Sequence, residues 1–187
     1  MIRGASLGGL LLALLLAGAS RPALAADFDV RTANIRRVAD GWALTARIDY
    51  RLTPKALEAL ENGVALTFRV EVSASRVRGW LPDPEVLETQ LDWQLSFDPL
   101  TQRYLVRYPD GRGATSHGTL FGALNALGRL QSVPLANSSA LDAAQTYDVA
   151  VRAVLNQQTL PGPLQMLTFW SGGFSLESDW YEWTMGP

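Results

Sequence analysis

The chain has 187 residues, with 16 Lys+Arg, 18 Asp+Glu, one His, no Cys, a formal net charge of -2 and 48% hydrophobic residues. Without cysteine it has no disulfide, thiol nucleophile, zinc ribbon, iron–sulfur site or lipidated cysteine, and a single histidine, His117, excludes a His-rich metal cage. The charge offers no basic footprint for nucleic acid, and the apolar content is too high for a disordered chain.

The first 25 residues read as a signal peptide. Arg3 precedes the uncharged run Leu7 to Ala19 (LGGLLLALLLAGA), and Ala23-Leu24-Ala25 forms an A-x-A site that predicts cleavage between Ala25 and Ala26. The alternative is an inner-membrane anchor left uncleaved, because Gly4 to Ser20 is an uncharged stretch of 17 residues, at the lower edge of what spans a bilayer. Residues 26–187 carry 14 basic and 18 acidic side chains, a net charge of -4, and are expected to form one exported, periplasmic domain. At 162 residues such a domain buries about 70% of its unfolded surface, enough for a core without disulfides. Fifteen of the sixteen basic residues are Arg; they are scattered, and identify no partner.

Alternation of apolar and polar residues predicts strands through most of this domain. Phe28, Val30 and Thr32 begin a first strand that runs loosely to Ile35. Asp40-Gly41 makes a hairpin turn, and Trp42, Leu44, Ala46, Ile48, Tyr50 and Leu52 form its partner. Thr53-Pro54 then opens a short helix that Asn62-Gly63 closes, with Leu57 and Leu60 expected toward the sheet.

Leu66, Phe68, Val70 and Val72 share one face of a third strand. After the Pro82-Asp83-Pro84 turn, Leu91, Trp93, Leu95 and Phe97 pair through Asp98-Pro99 with Tyr104, Val106 and Tyr108. A Gly/Ser/Thr-rich connection leads to a second helix starting at Thr119, with Leu120, Phe121, Leu124, Leu127 and Leu130 at helical spacing. Residues 131–145 read as loop with at most one helical turn. Tyr147 to Leu155 alternate again, and further runs are expected from Met166 to Trp170 and from Phe174 to Trp183.

The fold expected is mainly β: an antiparallel β-sandwich, or a partly open barrel, of about seven to eight strands with two or three short helices, following the N-terminal signal helix.

Little in the sequence carries chemistry. His117 lies in GRGATSHGT beside Ser116, but adjacency in sequence is not the geometry of a nucleophile and its base. Asp83 and Glu85 near Trp80 would suit a glycosidase-like carboxylate pair only if they converge on a pocket. No G-x-S-x-G, H-E-x-x-H, P-loop or calcium-loop spacing occurs, so the expectation is no catalytic residue, no metal and no cofactor. Arg76 and Arg78, two apart, would share one face of an extended strand. With Trp80 and Asp83 they form the candidate recognition patch, since guanidinium and indole groups are common anchors at interfaces. Of the tryptophans near the carboxyl end, Trp180 and Trp183 are an odd step apart and fall on opposite faces of a regular strand, which places at least one outside the core.

Taken in order, LEALENGVALTFRVEV, RVRGW, TLFGALNALGRLQSVPL, YDVAVRAVLNQQTLPGPLQ and FSLESDWYEW resemble the DUF4390 family of proteobacterial exported proteins, over nearly all of the chain from Phe28 to Trp183. One departure is Asn156-Gln157, where an aspartate is expected after VRAVL. The resemblance implies export and a single domain but no reaction and no catalytic residues. Members are often encoded near a membrane sensor kinase of the nitrogen-regulation type, which implies an envelope protein as partner. The functional expectation is therefore a periplasmic, non-enzymatic binding domain that modulates such a protein. The alternatives are a small-ligand or glycan binder built on Trp80 and its neighbours, and a hydrolase. Neither nucleic acid nor membrane is expected as a partner, the signal segment apart, and the oligomeric state does not follow from the sequence.

Overall fold

The computed structural model describes residues 27–79, 84–109, 111, 113–156 and 176–187. The signal segment with Ala25 and Ala26, the turn holding Trp80 and Asp83, and the runs expected between Met166 and Phe174 lie outside the described residues.

Among the described residues, nine strands form two antiparallel sheets. The smaller has the order β1-β2-β7, from β1 (Phe28–Val38), β2 (Gly41–Tyr50) and β7 (Arg129–Pro134). The larger has the order β6-β5-β4-β3-β8-β9, from β3 (Leu66–Arg76), β4 (Glu85–Asp98), β5 (Arg103–Arg107), β6 (Ala114–His117), β8 (Tyr147–Asn156) and β9 (Tyr181–Met185). Two helices, α1 (Pro54–Glu61) and α2 (Leu120–Leu127), and a 3-10 turn at Ser138–Ala140 complete the described fold. These are two separate sheets, so the sandwich reading holds and the barrel does not.

The core is what the alternation predicts. Leu66, Phe68, Val70, Val72 and Ala74 on β3 are buried toward the small sheet, and Leu87, Leu91, Trp93 and Leu95 do the same on β4. At the end where the described chain begins, Phe28 and Tyr50 from the small sheet meet Phe68 from the large one. Ring centroids lie 4.8 Å (Phe28 to Tyr50), 5.6 Å (Phe28 to Phe68) and 5.0 Å (Tyr50 to Phe68) apart, one pair stacked and two edge-on. The outward face of the large sheet is polar. There Arg69 holds Asp92 through two bonds of 2.8 and 2.9 Å, and Arg152 bonds Glu71 at 2.8 Å.

Bulges explain where the sequence pattern was loose. In β1, Val30 opposes Ile48 and Thr32 opposes Arg47, so Arg31 is the extra residue. The phase changes there: Phe28 and Val30 point inward before it, Ala33 and Ile35 after it, and Thr32 is exposed rather than in line with Val30. Arg31 bonds Asp29 and Asp49, each at 2.8 Å.

In β7, Leu130 opposes Ala46 and Val133 opposes Leu44, which leaves two residues of β7 against Thr45 alone. Ser132 takes a left-handed φ of 50° there, and its N–H donates to Thr45 Oγ1 at 3.2 Å. This bulge puts buried residues three apart. The helical spacing that seemed to carry α2 on to Leu130 is thus a strand with an irregular pair, and α2 ends at Leu127. The expected loop 131–145 correspondingly holds most of β7 and the 3-10 turn, and the Gly/Ser/Thr-rich connection holds β6.

Both helices are capped as their sequences require. Thr53 Oγ1 accepts the Ala56 N–H and Thr119 Oγ1 accepts the Gly122 N–H, each at 3.1 Å. In α1 it is Ala56, Ala59 and Leu60 that are buried, with Leu57 only half-buried. The face turned to the core is set one position away from the leucine pair, because small alanines allow close packing on the sheet. No helix among the described residues is long and apolar enough to cross a membrane.

Tyr50 shows a cost within this core. Its ring is packed, but its hydroxyl is buried with no hydrogen-bond partner, and burial raises its pKa far above the usual tyrosine value. Tyr50→Phe is expected to stabilise the fold by about 1 kcal/mol, because it removes an unsatisfied group from a site that is otherwise apolar. A raised folded-state pKa means that the unfolded chain loses this proton first. The native advantage is intact below about pH 10 and falls above it by about 1.4 kcal/mol per pH unit. Urea titrations at pH 8 and at pH 10.5 to 11.5 should show the gap between Tyr50→Phe and wild type widening with pH. A constant gap would mean that the hydroxyl has a partner or reaches water.

Candidate functional site: a cleft along the flank

The two sheets do not close along the side where β7 faces β4, β5 and β6. A cleft of about 350 Å³ lies there, lined by Trp93, Tyr108, Pro109, Thr115, Arg129, Leu130, Gln131 and Val133. Its size is at the lower end of small-ligand pockets. Trp93, on the inward face of β4 and only 2% exposed, is its apolar floor, together with Leu130 and Val133 from the bulged strand. The irregular pairing at Ser132 is what lets Leu130 and Val133 both turn inward, so the bulge shapes this wall.

The opposite rim is polar. Tyr108 Oη lies 3.3 Å from Thr115 Oγ1, which lies 2.9 Å from His117 Nε2. A hydroxyl has one proton, so when Thr115 donates to the imidazole it accepts from Tyr108, and the three groups form one directional chain. Thr115 and His117 are two apart on β6 and therefore share a face, while Ser116 points the other way and accepts a bond from Arg103 Nε. Ser116 is therefore no nucleophile for His117, whose Nε2 is bonded to the Thr115 hydroxyl and not to a carboxylate. The cationic member of the cleft is Arg129, whose Nε donates to Asn125 Oδ1 of α2 at 3.2 Å. The site thus offers an aromatic floor, a rim with the hydroxyls of Tyr108 and Thr115, the latter bonded to His117, and one guanidinium. It can hold a chain segment or small ligand by stacking and hydrogen bonding.

The patch expected from sequence lies elsewhere. Arg76 is the last residue of β3, at the end of the sandwich far from Asp27. It is in phase with buried Ala74, and its Nε is buried without a hydrogen-bond partner. Arg78 lies two residues beyond the strand and is exposed. The alternation that would carry both onto one face stops at Arg76. Trp80 and Asp83 are outside the described residues, and Glu85 is an exposed residue opening β4. His117 belongs to the opposite end, since it pairs with Tyr104 close to the β4–β5 turn. Among the described residues no group of three or more His, Asp or Glu side chains is placed to hold a metal ion.

Trp180 is 41% exposed and sits under the Arg152 guanidinium, 4.6 Å from its ring centroid, whereas Trp183 on β9 packs against the core. That agrees with the odd step between them. Trp93, Tyr108, Thr115 and Arg129 were not singled out from sequence. Trp93 and Tyr108 read as ordinary strand residues, and Thr115 and Arg129 reach the cleft only through β6 and the bulged β7. The spacing of Thr115 and His117 by two was the one available signal.

Fold and cleft together define a two-sheet antiparallel sandwich with a lateral groove. Residues 25–184 match the family described as Domain of unknown function (DUF4390), and the chain belongs to that family. Comparison with curated proteins and with solved structures finds no match.

Proposed function

We propose that this is an exported binding domain that acts without catalysis, and that it engages a segment of another envelope protein, such as a membrane sensor, in the cleft between β7 and β4–β6. The observation that carries the reading is the cleft itself: a concave, aromatic-floored groove with hydrogen-bonding groups on one rim and, among the described residues, no nucleophile, base and carboxylate brought together. Interfaces favour such aromatic and Arg anchors. The signal sequence supports a periplasmic setting, and the family resemblance supports an envelope partner.

The test is cross-linking capture with the tagged full chain in the cells that make it, comparing wild type with Tyr108→Ala plus Arg129→Ala and with Arg76→Ala plus Arg78→Ala. The cleft pair is expected to reduce capture of a reproducible partner at least tenfold, and the Arg76/Arg78 pair to leave it within about twofold, since only the first removes side chains that line the cleft. The reverse pattern would move the interface to the Arg76 end. Unchanged capture by both variants would overturn both sites.

A further inference from the structure

One end of the sandwich collects apolar groups that the core does not use. Leu100, in the turn between β4 and β5, is 94% exposed, and Phe121, in the first turn of α2, is 80% exposed. Both belong to the end at which the described chain begins. Phe28 pairs with Tyr50 there, Phe68 packs on them, and Leu66 opposes Leu95. Strand β4 continues three residues past Leu95 to Asp98, so its turn projects about 10 Å beyond the start of β3.

The projecting turn is held firmly. Asp98 accepts the Leu100 N–H at 2.9 Å, the Thr101 N–H at 3.4 Å and the Thr101 hydroxyl at 2.8 Å, and these bonds also hold its carboxyl below the usual aspartate pKa. Leu100 is thus presented to solvent by a fixed turn. Phe121 stands over a shallow groove with Leu124, Asn125 and exposed Arg51.

The occupant follows from where the chain enters. Asp27 is at this same end, with its carbonyl bonded by the Arg51 N–H at 3.1 Å. Only six residues, 21–26, separate it from the uncharged stretch that ends at Ser20. Fully extended, six residues reach about 20 Å. While the N-terminal segment lies in a membrane, this end of the domain is therefore held within about 20 Å of the bilayer surface, with the two most exposed large apolar side chains among the described residues on the near side.

We infer that this end of the sandwich rests on the membrane before the Ala25–Ala26 bond is cut, with Leu100 and Phe121 entering the lipid interface. Burying a Leu or Phe side chain in an apolar phase favours the bound state about tenfold or more for each residue. A membrane-proximal tether would otherwise allow the domain to point any way. Two inserted side chains fix its orientation, leaving the flank cleft and the Arg76 end open to a partner. Charges here are of both signs, Arg51 and Lys55 with Asp49, Glu58 and Asp98, so the contact is expected on neutral as well as anionic lipid. The inference does not rest on the partner reading above.

The absence of cysteine makes the test direct. Single Leu100→Cys, Phe121→Cys and Val38→Cys variants of the full chain, the last at the opposite end, are made in the presence of phosphatidylcholine vesicles with and without phosphatidylglycerol. Each is labelled with an environment-sensitive fluorophore. The expected result is a blue shift and quenching by nitroxide-labelled lipid at positions 100 and 121 but not at 38, in both lipids. Labels at 100 and 121 that stay water-exposed while the chain floats with the vesicles would overturn the inference. A blue shift without quenching would overturn it too, by showing that protein, either another part of this chain or a second copy, covers the site. Quenching only with phosphatidylglycerol would replace apolar insertion with charge attraction. The unlabelled Leu100→Ser plus Phe121→Ser chain keeps its N-terminal segment. A label at Val38→Cys in that background should show rotational freedom restored, and an unchanged anisotropy would count against orientation by these two residues.

Discussion

Replacing Gly128 by alanine is expected to destabilise the domain by about 3–5 kcal/mol, a large part of the total stability of a domain this size. Gly128 follows α2 and touches the backbone of β2: its carbonyl accepts the Ile48 N–H at 2.9 Å. A methyl group at this position would collide with the Ile48 carbonyl oxygen and lie 3.1 Å from its carbonyl carbon. No rotamer change relieves a clash with backbone. Either β2 moves, which disturbs the small sheet, or α2 lifts away with Ala123 and Leu127, both almost fully buried. Either shift also strains the Ile48 to Gly128 bond. The φ of Gly128 is -80°, so the cost comes from contact and not from backbone conformation. Gly118→Ala is the control, with nothing within 4 Å of the added carbon, and is expected to change stability by less than about 0.5 kcal/mol. Urea midpoints followed by tryptophan fluorescence compare the two. Equal midpoints would show that α2 does not sit this close to β2.

This contact also shows what the sequence could and could not say. TLFGALNALGRL announces a capped helix followed by glycine, and the helix is there. That Gly128 serves as the point where helix and sheet backbones touch depends on β2, some 80 residues earlier in the chain, and no local pattern carries it. The strands were legible where burial alternates along most of their length, as in β2, β3, β4 and β8, because each has one face on the core. They were not legible at β6, whose four residues are polar or small and mostly exposed, or at β7, where the bulge gives buried residues a helix-like spacing.

The candidate site suffered from the same cause. Its floor residue Trp93 looks like any other inward strand residue, and its rim depends on which strands become neighbours across a gap. Arg76 shows the converse. Sequence periodicity gave it a face, but the pairing of β3 makes that the inner face of the sandwich, in line with Ala74, and not a solvent face.

The second large effect is expected at the junction of the two sheets. Phe68 has no exposed surface and is the only ring of the larger sheet in the trio with Phe28 and Tyr50. Phe68→Ala removes the ring and leaves a cavity between sheets that the backbone pairings on both sides, to Trp93 and Leu155, keep from collapsing. The expected loss is about 3–5 kcal/mol, the range for buried phenylalanine when the site cannot relax. Phe68→Leu, which keeps most of the volume but not the ring edges, should lose less than about 2 kcal/mol. A double-mutant cycle with Phe28→Leu and Phe68→Leu isolates the stacked pair, and a coupling of about 0.5–1.5 kcal/mol is expected from their geometry. Zero coupling with large single effects would mean that the rings act only as volume.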